Sequence, residues 1–343
     1  MARRNSARAW TASWQRALTK LTRSAMAAGS RSVRASQRAG VRSIKAAVAA
    51  GGPPGGPGDW IAGVAMGPSG MRRYRLFRPP GVLPSERLPL LVMLHGCGQD
   101  ANRFADSTRM NRIALRERFL VLYPEQDRLA NPQACWNWFD TASGRAGGEA
   151  ALILAAIDQV CLLYSVDPLQ LAIAGMSAGA GMAALLVTRT PGRFRALAMH
   201  SGVPPGTAHS GLSAVGAMTG IRRTARPLKA DASAMATVWP PLLVIHGEAD
   251  PVVSAHNGRL AVDAWAQAAG ATAGASRRVR RGQRHAMTIT DYRCRSRTVA
   301  TLVEVEQLGH AWSGGSSSQP HGDPRGPDAS RLIWSFVRRQ LRA

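Results

Sequence analysis

The chain has 343 residues, of which 45% are hydrophobic, and this length suffices for one large domain with its own core. Its 44 Lys and Arg residues outnumber its 20 Asp and Glu residues, so the formal net charge is +24. No apolar run approaches the length of a membrane-spanning helix, and the four cysteines lack the C-x-x-C spacing of a zinc site. These features argue against a transmembrane protein and a cysteine-based metal site.

The positive charge is concentrated at the start of the chain. Residues 1–58 contain eleven Lys and Arg residues and no acidic residue, whereas the remainder carries +13. Within residues 5–50, Trp10, Trp14 and Leu21 recur at helical spacing with basic residues on the other faces. We predict that residues 1–50 form a basic amphipathic arm suited to an anionic surface; the alternative is a partly disordered tail.

A linker separates this arm from the rest of the chain. Residues 51–58 consist only of Gly and Pro, a composition that excludes helices and strands. We expect one folded domain over residues 59–343. The sequence before the linker has no continuous apolar segment of the kind that a secretory signal needs, so we expect a cytoplasmic protein.

Predicted strands and helices alternate from residue 59 onward, which is typical of a mostly parallel α/β sheet flanked by helices. Strands are predicted at residues 71–78, 88–94, 119–124, 171–175, 194–199, 241–246 and 298–308. Helices are predicted at residues 103–118, 147–164, 253–268 and 328–341, and a small-residue helical pattern follows Ser177 up to residue 186. Residues 206–236 are rich in Gly, Ser and Thr, and we interpret them as a lid or an insertion.

Ser177 lies between Gly175 and Gly179, at the junction of a predicted strand and a predicted helix. This G-x-S-x-G arrangement is typical of the nucleophile elbow of an α/β-hydrolase, in which a strained turn exposes the serine hydroxyl. Glycine is needed on both sides because a Cβ atom there would collide with neighbouring backbone. The pattern therefore predicts a serine nucleophile at residue 177.

A serine nucleophile in this fold needs an acid and then a histidine, in that chain order. Among the later Asp residues, only Asp250 directly follows a clear apolar strand, and among the later His residues only His310 does so. The carboxyl ends of parallel strands meet at one edge of a sheet, so we expect these three residues to form a catalytic triad.

The segment His95-Gly-Cys97 follows the strand at residues 88–94, at the position where this fold supplies an oxyanion-hole amide. We predict that the backbone N–H groups of Cys97 and Ala178 hold the oxyanion. Cys97 and Cys135 both lie on loops expected near this edge, and the sequence leaves a disulfide between them open.

The remaining histidines fall into two groups. Those at strand ends are expected to be structural, and they are His95, His200 and His246. The others are expected to face solvent, and they are His209, His256, His285 and His321.

Five motifs occur in the order found in one enzyme family. They are LHGCGQ at residues 94–99, YPEQ at 123–126, CWNWF at 135–139, GMSAG at 175–179 and GHAWSGG at 309–315. Over residues 59–341 the chain resembles the poly(3-hydroxybutyrate) depolymerase family of esterases, which is related to feruloyl and acetylxylan esterases. The resemblance implies the same roles for Ser177, Asp250 and His310. It also suggests substrate contacts by Trp136, Trp138 and Trp312, the alternative being that these rings pack the loops.

The resemblance implies a serine esterase that hydrolyses poly(3-hydroxybutyrate)-type polyester, or its oligomers, through an acyl-enzyme on Ser177, without cofactor or metal. An esterase for small feruloyl or acetylxylan-type esters is the alternative, and a granule-binding or nucleic-acid-binding protein ranks below both. Many secreted depolymerases carry a signal peptide and a C-terminal polymer-binding domain, but only about thirty residues follow His310. We therefore expect a granule-associated cytoplasmic enzyme held by residues 5–50, with no specific nucleic acid partner; secretion is the alternative.

Overall fold

A computed structural model of the protein describes residues 54–220 and 239–342. The predictions for the arm at residues 1–50, for the start of the linker and for the end of the segment at residues 206–236 lie outside the described residues.

The described residues contain one large sheet of eleven strands, β1 to β11, and one pair of two-residue strands. The strands are β1 (Asp59–Gly67), β2 (Gly70–Arg78), β3 (Leu88–Leu94), β4 (Leu120–Pro124), β5 (Val166–Met176), β6 (Ala196–His200), β7 (Leu242–Gly247), β8 (Thr272–Ala273), β9 (Arg277–Val279), β10 (Met287–Cys294), β11 (Arg297–Val305), β12 (Trp312–Ser313) and β13 (Gly322–Asp323). The α-helices are α1 (Ala101–Thr108), α2 (Met110–Glu117), α3 (Arg145–Leu163), α4 (Ala178–Arg189), α5 (Gly211–Met218), α6 (His256–Ala269) and α7 (Ala329–Leu341).

The strand order in the large sheet is β1-β2-β4-β3-β5-β6-β7-β11-β10-β8, and β9 pairs with β10. The six strands from β4 to β11 run parallel, whereas the strands at both ends of the sheet pair antiparallel. Every residue of β4, β6 and β7 is buried, because helices cover both faces of a parallel sheet. The prediction of a mostly parallel α/β sheet is confirmed.

The two faces of the sheet carry separate apolar clusters. Helices α3, α4 and α6 cover one face, where Ile153, Leu186 and Trp265 are buried. Helices α1, α2 and α7 cover the other face, where Phe104 and Val337 are buried. The expectation that no apolar run approaches the length of a membrane-spanning helix is wrong for α3, which is long and apolar enough to cross a bilayer. One of its sides packs into the first cluster, so within this fold it is a core helix.

The structure corrects two predicted features. The helix expected at residues 103–118 is divided into α1 and α2, because Arg109 has a left-handed backbone with φ 54° and ends α1. No element was predicted for the basic stretch between the helix at residues 253–268 and the strand at residues 298–308, yet this stretch contains β8, β9 and β10. Its many arginines lie on a sheet edge open to solvent, where charge is compatible with a strand.

The functional geometry follows from the parallel strands. β3 leads into the loop that carries Cys97, and β5 leads directly to Ser177. β7 and β11 precede Asp250 and His310, respectively, and these two strands are neighbours. All four loops therefore leave the same edge of the sheet.

Candidate active site

Ser177 occupies a sharp turn between β5 and α4, with φ 53° and ψ −120°. A Cβ atom on Gly175 would lie 2.4 Å from the carbonyl carbon of Gly179, and one on Gly179 would lie 2.2 Å from the carbonyl oxygen of Leu94. Both positions consequently require glycine. The strained backbone is maintained because β3, β5 and α4 enclose the turn, and this geometry is that of a nucleophile elbow.

The structure brings Ser177, Asp250 and His310 together. The Nε2 atom of His310 lies 3.0 Å from Ser177 Oγ, and its Nδ1 atom lies 2.8 Å from Asp250 Oδ2. An imidazole protonated at Nδ1 satisfies both contacts, because it donates to the carboxylate and accepts the serine hydroxyl. The Asp250 side chain is fully buried, whereas the His310 side chain is 14% exposed.

The environment of Asp250 keeps its carboxylate ionised. Burial alone would raise the pKa of Asp250, but the hydrogen bond from His310 lowers it, as do the backbone N–H groups of Val252 and Val253. Both N–H groups donate to Oδ1 at 2.9 Å, which leaves Oδ2 for His310. The net effect is a pKa below the ordinary value. The negative charge can therefore stabilise a protonated His310 at neutral pH.

Two buried histidines support the loops of this site. His200 accepts the backbone N–H of Ser313 at Nε2, over 3.1 Å, and its ring stacks on Trp312. His246 contacts the carbonyl oxygen of Val253 over 2.9 Å. Burial lowers the pKa of His200 to about 3, so this imidazole is neutral. Both positions agree with the structural role expected for these histidines.

Not every other histidine follows the expectation. His285 is buried and lies 3.3 Å from Asp323, so the expectation that it faces solvent is wrong. The cause is the loop that carries Arg325, which pairs with the backbone of His285 and covers it.

The backbone N–H groups of Cys97 and Ala178 lie on two segments that meet beside Ser177. A Cβ atom on Gly96 would lie 3.6 Å from Ser177 Cβ, which places the Cys97 loop against the elbow. Ala178 is the first residue of α4, where a backbone N–H has no acceptor within the helix. Neither N–H donates a hydrogen bond to any described residue, so both are free for an oxygen of a ligand.

Cys97 and Cys135 form a disulfide across 38 residues of sequence. The bond ties the loop after β3 to the aromatic loop that precedes α3. It also removes the Cys97 thiol from consideration as a nucleophile, which leaves the amide as the useful group of that residue.

The expected substrate contacts by tryptophan are not supported. Trp136 and Trp312 are 0% exposed and Trp138 is 6% exposed. The indole N–H of Trp136 donates to His95 O, and that of Trp312 donates to Ser330 Oγ. The expectation is wrong for Trp136 and Trp312, because rings enclosed in this way pack loops and cannot reach a substrate. Trp138 packs on Gly181 of α4 and has only a thin exposed edge.

A buried polar network that the sequence did not predict contacts the loop that carries Cys97. Its side chains belong to Arg72, Gln126, Asn137 and Glu149. The sequence contains one indication of this network: Glu149 is an acidic residue on the core-facing side of the apolar helix α3.

The chain matches the sequence model of the family described as Esterase PHB depolymerase over residues 72–285, which is more than half of its length. The matched region includes Ser177 and Asp250, and His310 lies beyond it. The chain belongs to this family.

Curated relatives cover parts of the chain. Poly(3-hydroxyalkanoate) depolymerase C of Paucimonas lemoignei is 30% identical over 166 residues, which are 48% of this chain and 39% of that protein. Feruloyl esterase B of Neurospora crassa is 32% identical over 116 residues, which are 33% of this chain and 39% of that protein. In both cases the chain aligns with less than half of the relative.

Among solved structures, an acetyl xylan esterase from Aspergillus awamori superposes with a TM-score of 0.60 at 17% sequence identity. The alignment covers 82% of this chain and all of that chain. At this identity the similarity is one of fold, and it agrees with the α/β-hydrolase architecture described above.

Proposed function

We propose that this member of the Esterase PHB depolymerase family is a serine esterase that hydrolyses poly(3-hydroxybutyrate)-type polyester, or its oligomers, through an acyl-enzyme on Ser177. The observation that carries the proposal is the continuous hydrogen-bonded chain from Asp250 through His310 to Ser177, with distances of 2.8 and 3.0 Å. This arrangement is the one that acyl transfer through a serine requires.

In the acylation step, Ser177 Oγ attacks the ester carbonyl carbon while His310 Nε2 removes its proton. The carbonyl oxygen becomes an oxyanion that accepts hydrogen bonds from the N–H groups of Cys97 and Ala178. When the tetrahedral intermediate collapses, the bond to the leaving alcohol breaks and His310 protonates that alcohol. The acyl group then remains on Ser177.

Deacylation repeats the sequence with water. His310 removes a proton from water, whose oxygen attacks the acyl carbon, and the second intermediate expels Ser177 Oγ. His310 returns the proton to Ser177, and the carboxylic acid leaves. In both halves the ionised Asp250 stabilises the imidazolium and maintains its orientation.

Two observations bear on the substrate. The five ordered motifs and the relative named poly(3-hydroxyalkanoate) depolymerase C favour a polyester of hydroxyalkanoates. The relative named feruloyl esterase B, at 32% identity, favours the alternative of a small feruloyl or acetylxylan-type ester.

Hydrolysis of 3-hydroxybutyrate oligomers, methyl ferulate and acetylated xylan by the same preparation separates the two candidates. We expect kcat/KM for the oligomers to exceed the other values at least about tenfold, a ratio that one well-placed set of substrate contacts can produce. Higher kcat/KM for methyl ferulate or acetylated xylan would favour the small-ester esterase. Ser177→Ala should abolish every one of these activities, and activity surviving this change would refute the role of Ser177.

For attachment, the proposal assigns residues 5–50 to the surface of a polymer granule or another anionic surface. The absence of acidic residues among eleven cations in residues 1–58, together with Trp10 and Trp14, supports this assignment. Deleting residues 1–58 should abolish co-sedimentation with granules while the turnover of a soluble ester stays unchanged. Co-sedimentation that persists after the deletion would contradict it.

For the location of the enzyme, the disulfide supports the alternative of secretion over the cytoplasm. Bonds of this kind persist in oxidising compartments and are rare in a reducing cytosol. Fractionation of cells that express the chain with its native N-terminus tests this, together with alkylation of free thiols. A cytosolic protein with reduced Cys97 and Cys135 would contradict secretion.

A further inference from the structure

The oxyanion loop, residues 95–99, is held by the aromatic loop, residues 133–138. The Cys97–Cys135 disulfide joins the two loops covalently. Gly98 donates its N–H to Gln133 O at 2.8 Å, and the indole N–H of Trp136 donates to His95 O at 3.1 Å. The position of the Cys97 N–H therefore depends on where the aromatic loop lies.

The aromatic loop is held in turn by one carboxylate, that of Glu149 on α3. Glu149 Oε2 accepts the backbone N–H of Asn137 at 2.9 Å, and Oε1 accepts the Asn137 side-chain amide at 2.6 Å. Gln126 also donates to Oε1, at 2.7 Å, and the same amide group donates to Cys135 O at 3.0 Å. Glu149 thus connects both ends of the short segment that contains Cys135 and Trp136.

The network reaches the oxyanion loop by a second route, through His95. The backbone N–H of Gln126 donates to His95 Nε2 at 3.1 Å, and His95 Nδ1 donates to Gly96 O at 2.8 Å. Burial lowers the pKa of His95 to about 4, so the ring is neutral and can accept at one nitrogen while it donates at the other. The residue before Cys97 is therefore held from this side as well.

The chemistry of Glu149 is unusual for a residue that only fills space. It is 4% exposed, and among the described residues it forms no direct ion pair. The buried cation Arg72 contacts Gln126 Oε1 and lies over the Trp136 ring, so Gln126 separates the two charges. A buried carboxylate is costly unless hydrogen bonds satisfy it, and here three donors from Gln126 and Asn137 do so.

We propose that Glu149 is a positioning residue for ester hydrolysis, which acts through the aromatic loop to hold the Cys97 N–H in the oxyanion hole. The inference rests on the proposed role of that N–H group. The hydrogen-bond partners of Glu149 are Gln126 and Asn137, and neither belongs to the triad. Its removal therefore affects the stabilisation of the transition state and leaves the nucleophile and its base intact.

The test is Glu149→Gln, assayed with soluble p-nitrophenyl butyrate. The amide replaces one carboxylate oxygen by an NH₂ group. Because this group faces a donor of Gln126 or Asn137 and cannot accept its hydrogen bond, we expect the aromatic loop to shift. We expect kcat to fall about 10- to 100-fold with KM changed less than twofold, as for a weakened oxyanion donor. The midpoint of the acidic limb of kcat/KM should not move, because the contacts of His310 are untouched.

A second variant and a matched control accompany it. Asn137→Ala keeps the backbone N–H bonded to Glu149 and removes one donor, so we expect a smaller loss of kcat, about 3- to 10-fold, again at constant KM. Asp158→Asn makes the same chemical change as Glu149→Gln at an exposed residue of the same helix, where Asp158 binds Arg193. Its kcat should stay within twofold of the parent enzyme.

The outcomes separate this inference from the proposed function. If Ser177→Ala retains activity, the proposed function fails. If Ser177→Ala is inactive while Glu149→Gln has the parent kcat, only the positioning role fails. A loss of kcat accompanied by a shifted pH midpoint would also overturn it. Should Glu149→Gln not fold, Asn137→Ala decides, and a parent-like kcat in that variant refutes the inference.

Discussion

Replacing Asp250 by Asn should inactivate the enzyme through the tautomer of His310. In the native site, Oδ1 of Asp250 accepts the N–H groups of Val252 and Val253, while Oδ2 accepts from His310. The amide introduced by Asp250→Asn has one acceptor oxygen, and this oxygen accepts the two backbone N–H groups. Its NH₂ group is then placed about where Oδ2 was, 2.8 Å from His310 Nδ1.

A donor at this position requires Nδ1 of His310 to be unprotonated, which leaves the proton on Nε2. An Nε2–H group cannot accept the proton of Ser177, and the imidazolium also loses the neighbouring negative charge. We expect kcat/KM for p-nitrophenyl butyrate at pH 7 to fall by about 10³- to 10⁴-fold, which corresponds to about 4 to 5.5 kcal/mol of transition-state stabilisation.

The assay is initial-rate hydrolysis across pH 5 to 10, with thermal unfolding as the check on folding. Asp291→Asn serves as the control, because Asp291 accepts from Arg277 and Thr301 on the sheet edge, and its change should leave kcat/KM within twofold. A loss of less than tenfold in a folded Asp250→Asn variant would refute the proposed use of this carboxylate.

Three further predictions concern the framework of the site. Gly179→Ala places a methyl group 2.2 Å from Leu94 O, so urea denaturation should show a loss of about 3 kcal/mol or more, and an unchanged midpoint would contradict the close approach. Burial lowers the pKa of His200 to about 3, so below pH 6.5 this histidine binds a proton in the unfolded chain but not in the native state. Thermal stability should therefore fall as the pH drops from 6.5 toward 4, and His200→Gln should reduce this dependence of stability on pH. Replacing Cys97 and Cys135 together by Ser opens a loop of 38 residues and should lower the free energy of unfolding by roughly 4 kcal/mol. A denaturation midpoint equal to that of the parent protein would contradict this prediction.

The predictions agree with the structure where an apolar run marks a strand and where the geometry of parallel strands places the loops that follow. β3 and β7 are apolar runs bounded by turn residues, and both occur within a residue of the predicted limits. Because parallel strands share an edge, the loops after them could be expected to meet, and the structure brings Ser177, Asp250 and His310 within hydrogen-bond distance. The strand order was not needed for this expectation.

Prediction failed where the environment of a residue depends on distant chain segments. Trp136 and Trp312 have amphipathic rings that can line a cleft or pack in a core. Both rings are buried here because other loops cover them. β10 carries charged and polar residues because it lies toward an edge of the sheet, a position that its own sequence does not specify.

The sequence by itself determined the elbow, since the need for glycine on both sides of Ser177 arises from sterics within a few residues. It also determined the order in which the acid and the histidine follow. Only the tertiary structure decided that Cys97 pairs with Cys135 and that Glu149 accepts hydrogen bonds from Gln126 and from Asn137 of the aromatic loop. These contacts join separate elements, and their distances depend on how the helices pack on the sheet.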